Sequence, residues 1–231
     1  MNWTISLGIS PQKHLSRKAK VKMLLLIVLI KENEMKKIMV TGWLILLLLI
    51  VGSLFWYNEW RYHLPTPIPQ NYKVVNIGQI ISIALPVKDK KQPMFLHFFN
   101  PGCPCSRFNM TNFKQLYRQY NKQLNFIIVV MSSRTYTVQE IQDKFDLPVP
   151  VVFNPAIARA CGVYSTPQVA LLDAGNKLYY RGNYNRSRYC TDEKTNYAKT
   201  AIVSLLNSYP LLVSDPLALK AYGCSLPNCI K

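Results

Sequence analysis

The chain has 231 residues, is 49% hydrophobic, and carries 28 Lys and Arg against 11 Asp and Glu, a formal charge of +17. That length supports one sizeable hydrophobic core. With no zinc-finger spacing, Gly-rich RNA-binding signature or single basic stripe beside the charge, the pattern argues against nucleic acid and toward an anionic lipid surface or an acidic partner.

The charge is uneven. Eight Lys or Arg precede Ile38 against Glu32 and Glu34. Met23 to Ile30 is an apolar run too short to span a bilayer. Met35-Lys36-Lys37 has the form of an export-signal n-region, which makes Met35 a candidate start. Ile38 to Tyr57, IMVTGWLILLLLIVGSLFWY, is uncharged and about the length a helix needs to cross the hydrocarbon core. Lys36 and Lys37 precede it and Trp56, Tyr57, Trp60 and Tyr62 cluster at its far end. Basic residues before and aromatics after predict a single span with its N-terminus in the cytoplasm. No small-x-small site follows, so an uncleaved anchor is expected rather than a removed signal.

Arg61 to Gln70, RYHLPTPIPQ, holds three prolines and reads as an extended linker. Beyond it, Met94–Phe99 (MFLHFF) reads as a buried strand and Ser106–Tyr120 as a helix. Leu124–Met131 reads as a β-branched strand and Thr137–Phe145 as a helix. Val149–Phe153 is a short extended piece, and Ala156–Cys161 a helical turn. Gln168–Asp173 and Lys177–Arg181 are two strands joined by Ala174-Gly175-Asn176, a hairpin signal. A last helix is predicted over Thr195–Ser208. A parallel βαβ unit followed by an antiparallel hairpin and a helix is an order few folds satisfy.

Six cysteines (Cys103, Cys105, Cys161, Cys190, Cys224 and Cys229) in an exported domain point to an oxidising compartment. The sharpest local feature is FFNPGCPCS, Phe98 to Ser106. A buried strand ends, a turn follows, and Cys103 stands about where a helix begins, with Pro104 at the first helical position. That placement favours a nucleophilic thiolate. Cys161 reads as a core residue. Cys224 and Cys229 bracket a turn-like Ser-Leu-Pro-Asn and read as a structural disulfide pinning the tail. His97 reads as a structural strand residue. Arg181, Arg186 and Arg188 with Tyr179, Tyr180, Tyr184 and Tyr189 read as a solvated surface loop.

The strand, turn and helix-start cysteine resemble the active site of thioredoxin-like proteins, in particular membrane-anchored bacterial redoxins that reduce disulfides outside the cytoplasm. A second match is GVYSTPQ, Gly162 to Gln168, followed by QVALLDAGNKLYYRG. Together they cover about Lys73 to Tyr209. The resemblance implies that Cys103 is the attacking thiol, that the Thr166–Pro167 bond is cis and faces it, and that the Thr166 backbone contacts the substrate chain. The chain departs from the family in having one residue, not two, between its cysteines, and Gly102 where tryptophan is common. Asn100 and Pro101 stand where a peroxidase would carry Thr or Ser.

The predicted fold is α/β: a thioredoxin-like sandwich with a central mixed sheet, preceded by one N-terminal transmembrane helix. The predicted divisions are a basic cytoplasmic N-terminus (1–37), the anchor (38–57), a Pro-rich linker (58–72), the thioredoxin-like domain (73–210) and a Cys-containing tail (211–231). The leading reading is a thiol–disulfide oxidoreductase with Cys103 as nucleophile and Cys105 as resolving thiol, bound to the cytoplasmic membrane with its domain on the periplasmic or extracytoplasmic side. In a second mechanism Cys190, Cys224 or Cys229 resolves Cys103. Expected partners are proteins bearing disulfides or dithiols, a membrane electron donor, and lipid through the helix; no cofactor is called for. The alternatives are a copper chaperone using Cys103 and Cys105, with His97 recruited, and a redox-inert binding domain.

Overall fold

The computed structural model describes residues 17–87, 89–187, 189–211, 213 and 215–226, so the readings made on Arg188 and Cys229 lie outside the described residues. The elements run α1 (Arg17–His63), β1 (Met94–Phe99), α2 (Pro104–Phe108), α3 (Met110–Tyr120), β2 (Asn125–Val130), α4 (Val138–Phe145), β3 (Val151–Val152), α5 (Pro155–Ala160), β4 (Ser165–Thr166), β5 (Gln168–Leu172) and β6 (Leu178–Gly182). A 3-10 turn (Glu193–Thr195), α6 (Tyr197–Leu206), α7 (Pro216–Leu219) and β7 (Cys224–Ser225) follow among the described residues. The chain divides into two units between Asn58 and Glu59.

In the first unit α1 is apolar on all sides, with Leu24, Ile38, Leu48 and Phe55 all exposed, as expected of a helix that meets lipid rather than a core. Among the described residues it is the one helix long and apolar enough to cross a membrane, over Lys20–Trp60. Its 47 residues make it roughly 70 Å long, over twice the hydrocarbon thickness. The charges at 31–37 sit between its two apolar stretches, where Lys36 pairs with Glu32 at 2.8 Å and Lys37 with Glu34 at 2.7 Å. The helix continues through 58–63, where extended linker was expected, and ends just before Leu64-Pro65. A residue preceding proline is pushed out of the helical region, which sets that end.

The second unit is built on a five-stranded sheet in the order β3-β2-β1-β5-β6. β1 pairs parallel with β2, which pairs parallel with β3; β5 runs antiparallel to β1, and β6 antiparallel to β5. This is the predicted thioredoxin-like sandwich. All six residues of β1 and of β2 are buried, as both faces of the sheet are covered. Alternation sends Phe95 and Phe99 to one face, against Phe113, Leu116, Phe145 and Ile202. Met94, Leu96 and Phe98 go to the other, against Ile157, Ala158 and Cys161.

Local chemistry sets the boundaries. The helix expected over Ser106–Tyr120 begins earlier, at Pro104, and is interrupted at Asn109. The Asn109 side-chain amide donates to the Cys105 carbonyl at 3.3 Å, and such back-bonding competes with the helical ladder. In the hairpin after β5, Asp173 Oδ1 accepts from the backbone N–H of Gly175 and of Lys177, both at 2.8 Å, and Asn176 takes a positive φ of 59°. At α4, Thr137 Oγ1 accepts from Glu140 N at 3.1 Å and Glu140 Oε2 accepts from Thr137 N at 2.6 Å. This capping box satisfies two otherwise orphaned donors, and the hydrogen bonds hold the Glu140 carboxyl below its ordinary pKa. Thr137→Ala is expected to cost about 1 kcal/mol, read as a lower urea midpoint with an unchanged slope.

The tail departs from expectation. Set apart from the domain as a Cys-containing tail, it instead forms α7 and β7 and packs back onto the domain. Asn183 Nδ2 donates to the carbonyls of Leu217 at 2.7 Å and Lys220 at 2.6 Å, and Asn183 N donates to the Ala218 carbonyl at 2.8 Å. A Cβ at Gly182 would lie 2.1 Å from that Ala218 oxygen, so only glycine admits the approach. The Pro-rich segment contributes too: Thr66 is buried, its N–H donating to the Ala221 carbonyl at 2.8 Å and its hydroxyl to the Gly223 carbonyl at 2.6 Å.

Candidate active site

The end of β1 delivers the chain into a turn tied by its own atoms. Gly102 N donates to Asn100 Oδ1 at 3.0 Å, Cys103 N to the Asn100 carbonyl at 3.0 Å, and Asn100 N to Ser106 Oγ at 3.2 Å. Cys103 is the N-cap of α2, in extended conformation, with Pro104 at the start of the helix as its fixed φ favours. The Thr166–Pro167 peptide bond is cis.

Cys103 is disulfide-bonded to Cys224, 121 residues away in sequence. Cys105 is a buried thiol outside that bond. The sulfurs of Cys103, Cys105 and Cys224 all lie within 4.8 Å of one another, in a buried cluster of their own. The leading expectation paired Cys103 with Cys105, and the tail reading paired Cys224 with Cys229; the structure joins Cys103 to Cys224 instead, one of the remote cysteines of the second mechanism. Positions two apart at the start of a helix do not face each other. A segment from elsewhere can meet Cys103 head-on, and β7 does so.

What aims Cys224 is a second, two-stranded sheet. β7 pairs antiparallel with β4, in the register Ser165 opposite Ser225 and Thr166 opposite Cys224. Thr166 is fully buried, and its Oγ1 has no hydrogen-bond partner among the described residues. Beside the cluster lies a cleft lined by Cys105, Pro167, Arg186, Tyr189, Tyr222 and Gly223, among others.

The remaining candidates lie elsewhere. The Cys190 thiol donates to Asn109 Oδ1 at 2.8 Å and is not one of the three clustered sulfurs; burial pushes its pKa up to about 12. Cys161 is fully buried in the core, and its thiol is likewise pushed up to about 12 by burial, with Arg181 opposing. His97 is fully buried on the aromatic face of the sheet. It stacks on Phe113 at 4.7 Å between ring centroids, and its Nδ1 shares a 2.6 Å hydrogen bond with the Tyr184 hydroxyl. Burial pulls its pKa down to about 3, so it stays neutral and stands apart from the thiols.

The loop expected to be solvated is partly core. Tyr180 and Tyr184 are buried, and Arg181 Nη1 donates to the Val75 carbonyl at 3.0 Å. The residues missed in the sequence are Thr66, Gly182, Asn183 and Gly223, which dock the tail. Each is an ordinary loop residue with no spacing signal.

Residues 76–225 match a domain of unknown function, DUF6436. The chain belongs to that family. The match spans the whole arrangement from the β1 turn to β7, including all three clustered cysteines. No curated protein matches the sequence significantly. Among solved structures, a hypothetical protein from Sinorhizobium meliloti is similar with a TM-score of 0.56 at 13% identity, over 68% of this chain and 97% of that one. An uncharacterized conserved protein from Geobacillus kaustophilus gives 0.54 at 16% identity, over 68% and 94%. The thioredoxin domain of a thiol-disulfide oxidoreductase from Bacteroides vulgatus gives 0.41 at 14% identity, over 52% and 98%. The first two likenesses establish the shared fold.

Proposed function

We propose that this DUF6436 protein is a thiol–disulfide oxidoreductase that acts on partner proteins outside the cytoplasm, held at the cytoplasmic membrane by α1. The observation that carries the reading is the Cys103–Cys224 disulfide with its cysteine partner seated on Thr166. In the reduced protein the Cys103 thiolate attacks a disulfide of the partner. One partner sulfur leaves as a thiolate and takes a proton, and Cys103 is left in a mixed disulfide. The Cys224 thiolate then attacks the Cys103 sulfur, forming Cys103–Cys224 and releasing the second partner sulfur, which also takes a proton. The partner gains two electrons and the protein loses them; a membrane electron-donor dithiol restores the reduced state. Exchange of a partner disulfide for Cys103–Cys224, followed by mass after thiol alkylation, tests this directly. Oxidation that never involves Cys103 would overturn it.

A second reading rests on the three convergent sulfurs. Once Cys103–Cys224 is reduced, Cys103, Cys105 and Cys224 offer three soft donors in a buried site, the donor set suited to Cu(I). On this reading the fully reduced protein takes up one Cu(I) in competition with a chromophoric chelator. Cys105→Ser weakens that uptake, and oxidation to Cys103–Cys224 abolishes it.

A further inference from the structure

Residues Tyr222–Ser225 do more than carry a cysteine to Cys103. They lead through a bend at Gly223 into β7, which is paired antiparallel to Ser165–Thr166 and whose cysteine is bonded to the candidate nucleophile. Chemically this is a mixed disulfide whose second chain belongs to the same molecule. Building on the oxidoreductase reading, we propose that this segment occupies the seat of the substrate chain, and that the seat selects substrates with glycine immediately before the reacting cysteine.

The selectivity follows from Gly223. A Cβ built there would lie 2.0 Å from the Thr166 carbonyl oxygen, 2.5 Å from its carbon and 2.6 Å from Ser165 Oγ. Two of these atoms are backbone of the strand that forms the seat, so they cannot rotate away. Gly223 is not among the glycines with positive φ, which are Gly78 and Gly162. The requirement for glycine is therefore one of space, and it falls on any chain lying in the same register. The seat is closed on both sides: Gly223 N donates to Ser165 Oγ at 3.1 Å, and the Gly223 carbonyl accepts from Thr66 Oγ1 at 2.6 Å. A Gly-Cys segment makes both bonds through its backbone. A larger residue before the cysteine loses them by being lifted off Thr166.

Two chains cannot share the β4 edge, so β7 and a substrate strand exclude each other. Attack of Cys224 on the mixed disulfide and return of β7 to Thr166 are then one event. The new S–S bond forms, the substrate sulfur departs with the electron pair and takes a proton, and the substrate strand loses its seat.

The test uses the full chain in detergent as Cys224→Ser, reduced, so that capture stops at the mixed disulfide. The probes are short peptides of sequence Xaa-Cys-Ser with the cysteine joined through a disulfide to thionitrobenzoate, where Xaa is Gly, Ala or Val. Capture is read from thionitrobenzoate release and from the mass of the Cys103 adduct. The Gly peptide is expected to be captured faster than the Ala and Val peptides by about tenfold or more, the equivalent of ordinary overpacking. In the otherwise native chain, Gly223→Ala is expected to slow closure of Cys103–Cys224 while leaving the preference for the Gly peptide. Equal capture of all three peptides at Cys103 would overturn the selectivity and leave the oxidoreductase reading standing. Absence of any Cys103 adduct would overturn both.

Discussion

Replacing Cys224 with serine is expected to stop turnover at a stable mixed disulfide between Cys103 and the partner protein. On the oxidoreductase reading the resolving sulfur is delivered by β7, whose pairing with β4 puts Cys224 opposite Thr166 and in bonding distance of Cys103. An intramolecular thiol so held acts at a very high effective concentration. Losing it leaves the neighbouring Cys105 thiol, which β7 does not hold against Cys103, and thiols in solution, and turnover is expected to fall by about a thousandfold or more. The adduct is expected to survive denaturation and to release the partner on addition of a small thiol. Cys105→Ser behaves differently, since Cys105 lies outside the bond: Cys103–Cys224 still closes. If Cys105→Ser trapped the partner and Cys224→Ser did not, the assignment of the resolving thiol would be reversed.

Acidification is expected to destabilise the domain through His97. Its imidazole is fully buried against Phe113 and Tyr184, and burial lowers its pKa from 6.5 to about 3. The unfolded chain takes up this proton below about pH 6.5 and the folded chain does not. The stability from keeping His97 neutral is therefore complete above pH 6.5 and declines as pH falls toward 3. One proton taken up only on unfolding costs about 1.4 kcal/mol per pH unit, or roughly 4–5 kcal/mol across the window. Denaturant titrations at pH 7, 5 and 4 measure it. The double variant His97→Phe, Tyr184→Phe removes both ends of the hydrogen bond at similar volume and should flatten that slope by one proton. A slope unchanged in the double variant would show that other groups carry the acid sensitivity.

The parts of the fold visible in the sequence are those with a period or a punctuated turn. MFLHFF and LNFIIVVM are apolar on successive residues because both faces of the sheet are covered, and Asp173 to Asn176 announces its hairpin. The turn at Cys103 was legible for the same reason: a strand ends and Pro104 opens a helix. The partner of Cys103 was visible only as one of three remote candidates, with nothing to single out Cys224. β7 is two residues long and has no period to detect. Its docking rests on close backbone approaches at Gly182 and Gly223 to atoms far away in sequence. Thr66 was hidden in a Pro-rich stretch whose composition speaks for extension and not for burial. Tyr184 was misread because the arginines around it suggested solvent, while its ring enters the core to meet His97. Such features depend on which distant segment arrives at a position, and local composition carries no record of that.

On the oxidoreductase reading Cys103 and Cys224 are the redox pair. The most direct measurement of this is an equilibrium redox titration of the full chain, with each cysteine located by mass after thiol alkylation. Cys103 and Cys224 are expected to lose and regain their thiols together, at one potential, while Cys105 stays alkylatable on unfolding throughout. Joint exchange of Cys103 and Cys105, with Cys224 reduced at every potential, would contradict it.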